Sequence, residues 1–117
     1  MVTEPSNQVG KEMLFENDAV RVWMMELAPG EPSPLHRHEA DYFFLMLTAN
    51  RIAAMPAGSD ATTSDFFAGH VQYVRVDEPI VHQIENVSDE RHLQVVVELK
   101  SLAVRPPSSS NGRRRSI

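Results

Sequence analysis

A chain of 117 residues with 42% apolar content and a formal charge of −5 is sized for one domain around one core. It holds no cysteine, which excludes disulfides, thiolate metal sites and thiol nucleophiles and leaves nothing to argue for secretion. Arg105, Arg113, Arg114 and Arg115 lie near the carboxyl end, so the body upstream of them carries seven basic against sixteen acidic residues. A body that acidic repels phosphate backbones, and nucleic acid is not expected as a partner.

The opening residues, Met1-Val2-Thr3-Glu4-Pro5, lack a charged head and apolar run. No stretch approaches the roughly 18 apolar residues of a membrane span. A soluble, cytoplasmic protein with no membrane contact is expected. Residues 1–11 read as an N-terminal arm. Short apolar and β-branched runs then follow without a helical period, and they predict strands at 12–15, 20–28, 35–38, 42–47, 51–55, 71–76, 80–85 and 92–100. Turn-forming residues separate them, among them Asn17-Asp18, Pro29-Gly30, Pro56-Ala57-Gly58 and Asp77-Glu78-Pro79. Only residues 61–70 show no clear pattern. Residues 12–104 therefore read as an all-β domain, a double-sheet jelly roll or small barrel. Residues 105–117, rich in Pro and Ser and ending in an arginine run, have the composition of a disordered basic tail. Runs such as Tyr42-Phe43-Phe44-Leu45-Met46-Leu47 and Val95-Val96-Val97 are apolar on both strand faces. The second face needs a cover, so a homodimer is expected.

The chemistry concentrates at His36-Arg37-His38. Side chains alternate along a strand, so imidazoles at i and i+2 share a face and form half of a metal site. His82, on another predicted strand, is the candidate third ligand. Imidazole is a common ligand of zinc, iron, copper and nickel, and three of them leave coordination positions open for water or substrate. By spacing alone a second reading stands beside this one, in which the rings only pack and hydrogen-bond. His70 and His92 read as surface groups or supports of the ligands. Trp23, Phe44 and Tyr73 are candidates for a cavity wall, although aromatic residues in strands usually serve the core. Met24, Met25 and Met46 read as packing.

Gly30, five residues, His36-Arg37-His38, three residues and then Tyr42 resemble the first motif of the cupin family, and His82 and Asn86 stand at the spacing of its second. Glu16-Asn17-Asp18-Ala19-Val20-Arg21-Val22 with Pro29-Gly30 is also similar to the lead-in of small single-domain cupins. The resemblance spans roughly Phe15 to Leu99 and implies a double-stranded β-helix. Tyr42 replaces the family's acidic ligand, Ala49 its closing glycine, and Asp77 and Pro79 the usual Pro-x-Gly. The pattern thus implies a three-histidine site of His36, His38 and His82 for one divalent metal ion, with Fe(II) favoured and Zn, Ni or Mn as alternatives. It further implies a mononuclear metal-dependent enzyme of dioxygenase type acting on a small polar or carboxylate metabolite. The alternative is a non-catalytic binding or sensor module that holds a metal or small ligand. Tyr42 is the candidate catalytic residue, as a hydrogen-bond donor or weak oxygen ligand, against a reading in which it only packs. Asp41 is a weaker substitute ligand, since alternation turns it to the opposite face from Tyr42.

Overall fold

The computed structural model describes residues 5–103. Nine strands follow one another: β1 Glu12–Glu16, β2 Val20–Leu27, β3 His36–His38, β4 Ala40–Met46, β5 Asn50–Pro56, β6 Thr62–Phe66, β7 Val71–Val74, β8 Ile80–Asn86 and β9 His92–Ala103. They form two antiparallel sheets, one ordered β1-β2-β9-β4-β7 and the other β3-β8-β5-β6. The expected all-β jelly roll is the observed architecture. No helix among the described residues is long and apolar enough to cross a membrane. The expected tail at 105–117 and residues 1–4 of the expected arm lie outside the described residues.

The period of two decides which side chains meet inside. Trp23, Met25 and Leu27 of β2 and Tyr42, Phe44 and Met46 of β4 are buried, while the residues between them are half-buried. With Val9, Val76 and Val96 they supply most of one apolar core. Each large side chain so buried contributes about 1.5–3 kcal/mol relative to exposure. Met25 and Met46 pack as expected, but Met24 turns to the outer face of the larger sheet. Val9 reaches this core because Gly10 lies close against β2: a Cβ at Gly10 would stand 2.5 Å from that of Trp23.

The strand β6 lies in the stretch for which the sequence showed no pattern. Its alternation is real, with Thr62, Ser64 and Phe66 facing the interior cavity. Two of those three are hydroxyl residues, so an apolar period of two does not register. The strand pairs with β5 alone and forms an edge of its sheet. Its Asp65 turns outward to an ion pair with Arg51.

The segment before β3 sets the geometry of the site. Gly30, at φ +78°, closes the turn after β2 in a conformation that favours glycine. From there the chain runs antiparallel to β8: Gly30 N–H donates to Asn86 O, Asn86 N–H to Glu31 O, and Ser33 N–H to Ile84 O. The pairing steps by one residue between Pro32, which is bridged to Glu85, and β3, where His36 is paired with His82 and His38 with Ile80. Asn86, wholly buried, fixes the far end of this pairing by donating from Nδ2 to Leu27 O and Glu90 O. The Asn of the second motif is therefore a corner lock.

Candidate metal centre

His36 and His38 point to the same side of β3, and the pairing with β8 brings His82 beside them from the neighbouring strand of the same sheet. The three rings are mutually edge-on, with centroids 4.7–4.9 Å apart. One nitrogen from each lies within 4.8 Å of the others. The three residues predicted to act together are thus adjacent, at the wall of an interior cavity of about 330 Å³.

The tautomers follow from the partners. His36 Nδ1 lies 2.9 Å from Pro34 O, a pure acceptor, so it carries the proton and Nε2 keeps its lone pair. Nε2 of His38 and Nε2 of His82 face each other at 3.1 Å. A proton on one of them would join the two rings by a hydrogen bond. His38 Nδ1, buried without a hydrogen-bond partner, would then be left unsatisfied, as an acceptor if His38 donates and as a donor if His82 does. The donor set also fits a cation: two imidazole nitrogens bound at about 2.1 Å and a right angle stand about 3 Å apart. The three-histidine cluster can hold a metal ion.

Burial sets the charge of these rings. His38 is 2% exposed, and desolvation, with the neighbouring His82 and His36, lowers its pKa to about 2. Desolvation and then His36 lower that of His82 to about 4. Burial also lowers His36, opposed by its bond to Pro34. All three are neutral imidazoles at neutral pH, the form that binds metals.

Tyr42 stacks on His38, with ring centroids 3.9 Å apart and planes 12° from parallel. It is buried and lines the cavity. Burial pushes the phenol above its usual range, so it stays protonated and remains a donor. Asp41 turns away from the site. It is 1% exposed and accepts hydrogen bonds from Val76 N–H and Tyr73 O–H, which tie β4 to the β7 strand and the loop after it. It is a structural tether, absent from the histidine cluster because strand alternation faces it outward from Tyr42.

Of the other candidates, Phe44 lines the cavity. Trp23 does not; its indole N–H donates to the buried carboxylate of Glu98, which Arg21 also contacts. Tyr73 is 47% exposed on the outer face. His70 bonds Gln72 and packs by Phe66 and Phe67. His92 is no surface group: it is fully buried between Asn50 and Gln94 and lies outside the histidine cluster. Sequence reasoning missed Gln94, Gln72, Thr62 and Ser64, which place polar groups in an otherwise apolar wall. The available signal was polar residues at alternate positions of a strand, as in His92, Gln94 and Glu98 of β9.

The sequence model of the family described as auxin binding protein matches residues 7–109. Auxin-binding protein T85 of Nicotiana tabacum is 29% identical over 94 residues, 75% of this chain and 47% of that relative. The chain thus spans about half the length of that relative. Among solved structures, a cupin domain from Bordetella pertussis Tohama I superposes with a TM-score of 0.67 at 24% identity, covering 85% of this chain and 99% of the other. An RmlC-like cupin family protein with a double-stranded β-helix fold from Methanocaldococcus jannaschii gives 0.61 at 17% identity, covering 94% and 95%. These likenesses establish the fold.

The depressed histidines set a pH dependence. Unfolded, each ring titrates near 6.5, so below that pH the unfolded chain takes up protons that the fold refuses. Stability of the metal-free protein is fully present above about pH 6.5 and falls as the pH drops, the His82 contribution running down to about 4. Urea unfolding of metal-free protein between about pH 7 and pH 4 is expected to show this fall, and replacing His38 and His82 with Gln to flatten it. An unchanged slope in the double variant would show that other groups carry the acid sensitivity.

Proposed function

Because the chain belongs to the auxin-binding protein family and has the cupin fold, we propose that it binds a small organic acid at one divalent metal ion held by His36, His38 and His82. The convergence of three neutral imidazoles on the wall of a mostly apolar cavity carries this reading. A divalent ion there supplies a Lewis-acid centre whose charge is not offset by any carboxylate among the three ligating side chains, which favours an anionic ligand. The protein's own groups do the rest. Tyr42 holds His38 in place by stacking and offers its phenol proton to the ligand. Phe44, Met46, Ile52, Phe66 and Val96 exclude water and accept an apolar body. The name of the tobacco relative, an auxin-binding protein, supports a binding role.

Among the described residues, the titratable side chains lining this cavity are the three histidines and Tyr42. Desolvation brings His38 to about 2 and His82 to about 4, lowers His36 and raises Tyr42, each moving away from neutrality. General acid–base turnover is therefore poorly provided for, and this is why binding stands first. The second reading is a dioxygen-dependent oxidation at Fe(II), favoured by the all-imidazole donor set and the room left for substrate.

The partner surface we infer is a second copy of the chain. Phe43, Leu45, Val95 and Val97 stand half-buried on the outer face of the larger sheet, continuous with exposed Val71 and Tyr73. Sedimentation at micromolar concentration is expected to show a dimer that Phe43→Glu dissociates. A monomeric parent protein overturns this.

Elemental analysis of protein purified without a histidine tag is expected to find one divalent ion per chain, and none in His36→Ala/His38→Ala. Metal at one hundred times its dissociation constant should raise stability by about 2.7 kcal/mol. Metal-free parent protein that gains no stability from Zn, Fe(II), Ni or Mn counts against the site. On the Fe(II)-loaded protein, oxygen-electrode traces with a panel of diketones, thiols and small acids separate the two readings: the binding reading expects no uptake above the double variant.

A further inference from the structure

A buried polar chain crosses the barrel beside the cavity and ends in it. Leu93 N–H donates to Thr48 Oγ1 at 3.0 Å, and the Thr48 hydroxyl then donates to Asn50 Oδ1. Asn50 Nδ2 donates to the carbonyl of Glu90 at 3.2 Å and to Ser88 Oγ at 2.9 Å. A backbone carbonyl only accepts, so the Asn50 amide has one possible orientation and its oxygen faces His92 Nδ1 at 2.9 Å. His92 Nδ1 therefore carries a proton. On the other side of the ring, the Gln94 amide lies 2.8 Å from His92 Nε2 through Oε1.

Two carbonyl oxygens can flank one imidazole only if both ring nitrogens are protonated. Nothing around His92 supports that charge. The ring is 0% exposed, its two partners are neutral amides, and no carboxylate among the described residues comes within ion-pairing reach. Burial also lowers its pKa. The ring is neutral, so Nε2 is an acceptor and needs a donor. Amide oxygen and nitrogen are nearly isosteric, and a half-turn of the Gln94 amide places Nε2–H on the ring without moving any other atom.

That half-turn has a consequence for the ligand. Gln94 is 6% exposed and lines the cavity, and its second amide atom has no protein partner among the described residues. We propose that Gln94, anchored through His92 and Asn50, directs its carbonyl oxygen into the cavity and selects ligands that carry an N–H or O–H donor on their apolar body. This rests on the organic-acid reading above and adds to it a second recognition point, away from the histidine cluster. A buried acceptor rejects a ligand lacking the donor because the oxygen would lose its only partner.

Two measurements on the full chain test it. Long-range nitrogen–proton spectra of the metal-free protein at neutral pH are expected to show His92 protonated on Nδ1 alone, with a through-hydrogen-bond coupling between Gln94 Nε2 and His92 Nε2. A doubly protonated ring, an Nε2–H ring or no coupling overturns the inference while leaving the metal reading intact. In the zinc-loaded protein, each isomer of hydroxyphenylacetate is then titrated against its methoxy counterpart. At least one hydroxyl compound should bind about fivefold or more tightly than its partner, the value of one neutral hydrogen bond, and Gln94→Met should remove the difference. Equal affinities, or a preference that survives the substitution, overturn the selection. If none of the acids binds, the organic-acid reading fails, and the selectivity claim fails with it, while the spectra still decide the amide's orientation.

Discussion

The antiparallel pairing of β3 with β8 is the constraint on which the site depends. The chain is led into it by backbone hydrogen bonds from Gly30, Ser33 and Asn86, which run one residue out of step with β3 and stand away from the imidazoles themselves. A slip of one residue would turn His36 and His38 to the opposite face of the sheet and put Arg37 in their place. The turn at Gly30 and the lock at Asn86 thus do for the site what no property of histidine could. Both lie four or more residues from the nearest ring of the cluster.

Given that register, burial determines the chemistry. Three imidazoles pressed together in an apolar wall cannot all be charged, and desolvation holds each of them neutral. Neutral rings with their lone pairs gathered in one place suit a cation. Tyr42, where the first cupin motif ordinarily carries a carboxylate, keeps the donor set free of negative charge. Its ring covers one face of His38, so the substitution changes the charge at the centre without leaving the space unfilled.

The barrel interior has a second polar district, built on different physics. Around Asn50, Asn86, Ser88 and His92, nearly every donor and acceptor is matched within the protein, and loop 87–91 is pinned by side chains as well as by Val87 N–H donating to Arg51 O. Such a satisfied network is rigid because each broken bond would leave a buried group without a partner. It holds Gln94 at the cavity wall and contrasts with Gln72, whose support from His70 is exposed to solvent.

Much of this was legible in the chain itself. Alternation in β2, β4 and β9 and the glycine and proline turns determine an all-β fold, and His36 and His38 must share a face wherever a strand runs through them. The order of His36, His38 and His82 carries the resemblance that named the ligands. Tertiary structure alone decided that the carboxylate of Asp41 tethers Val76 and Tyr73, that Trp23 answers to Glu98, and that His92 belongs to a network rather than to the surface. It also revealed β6, whose inward hydroxyls carry no apolar signal. The division has a physical cause: strand periodicity is local and reads from neighbours two residues apart, whereas a buried polar group is explained only by its partner. Here that partner sits 35 residues away for Asp41 and Val76, 42 for His92 and Asn50, and 75 for Trp23 and Glu98.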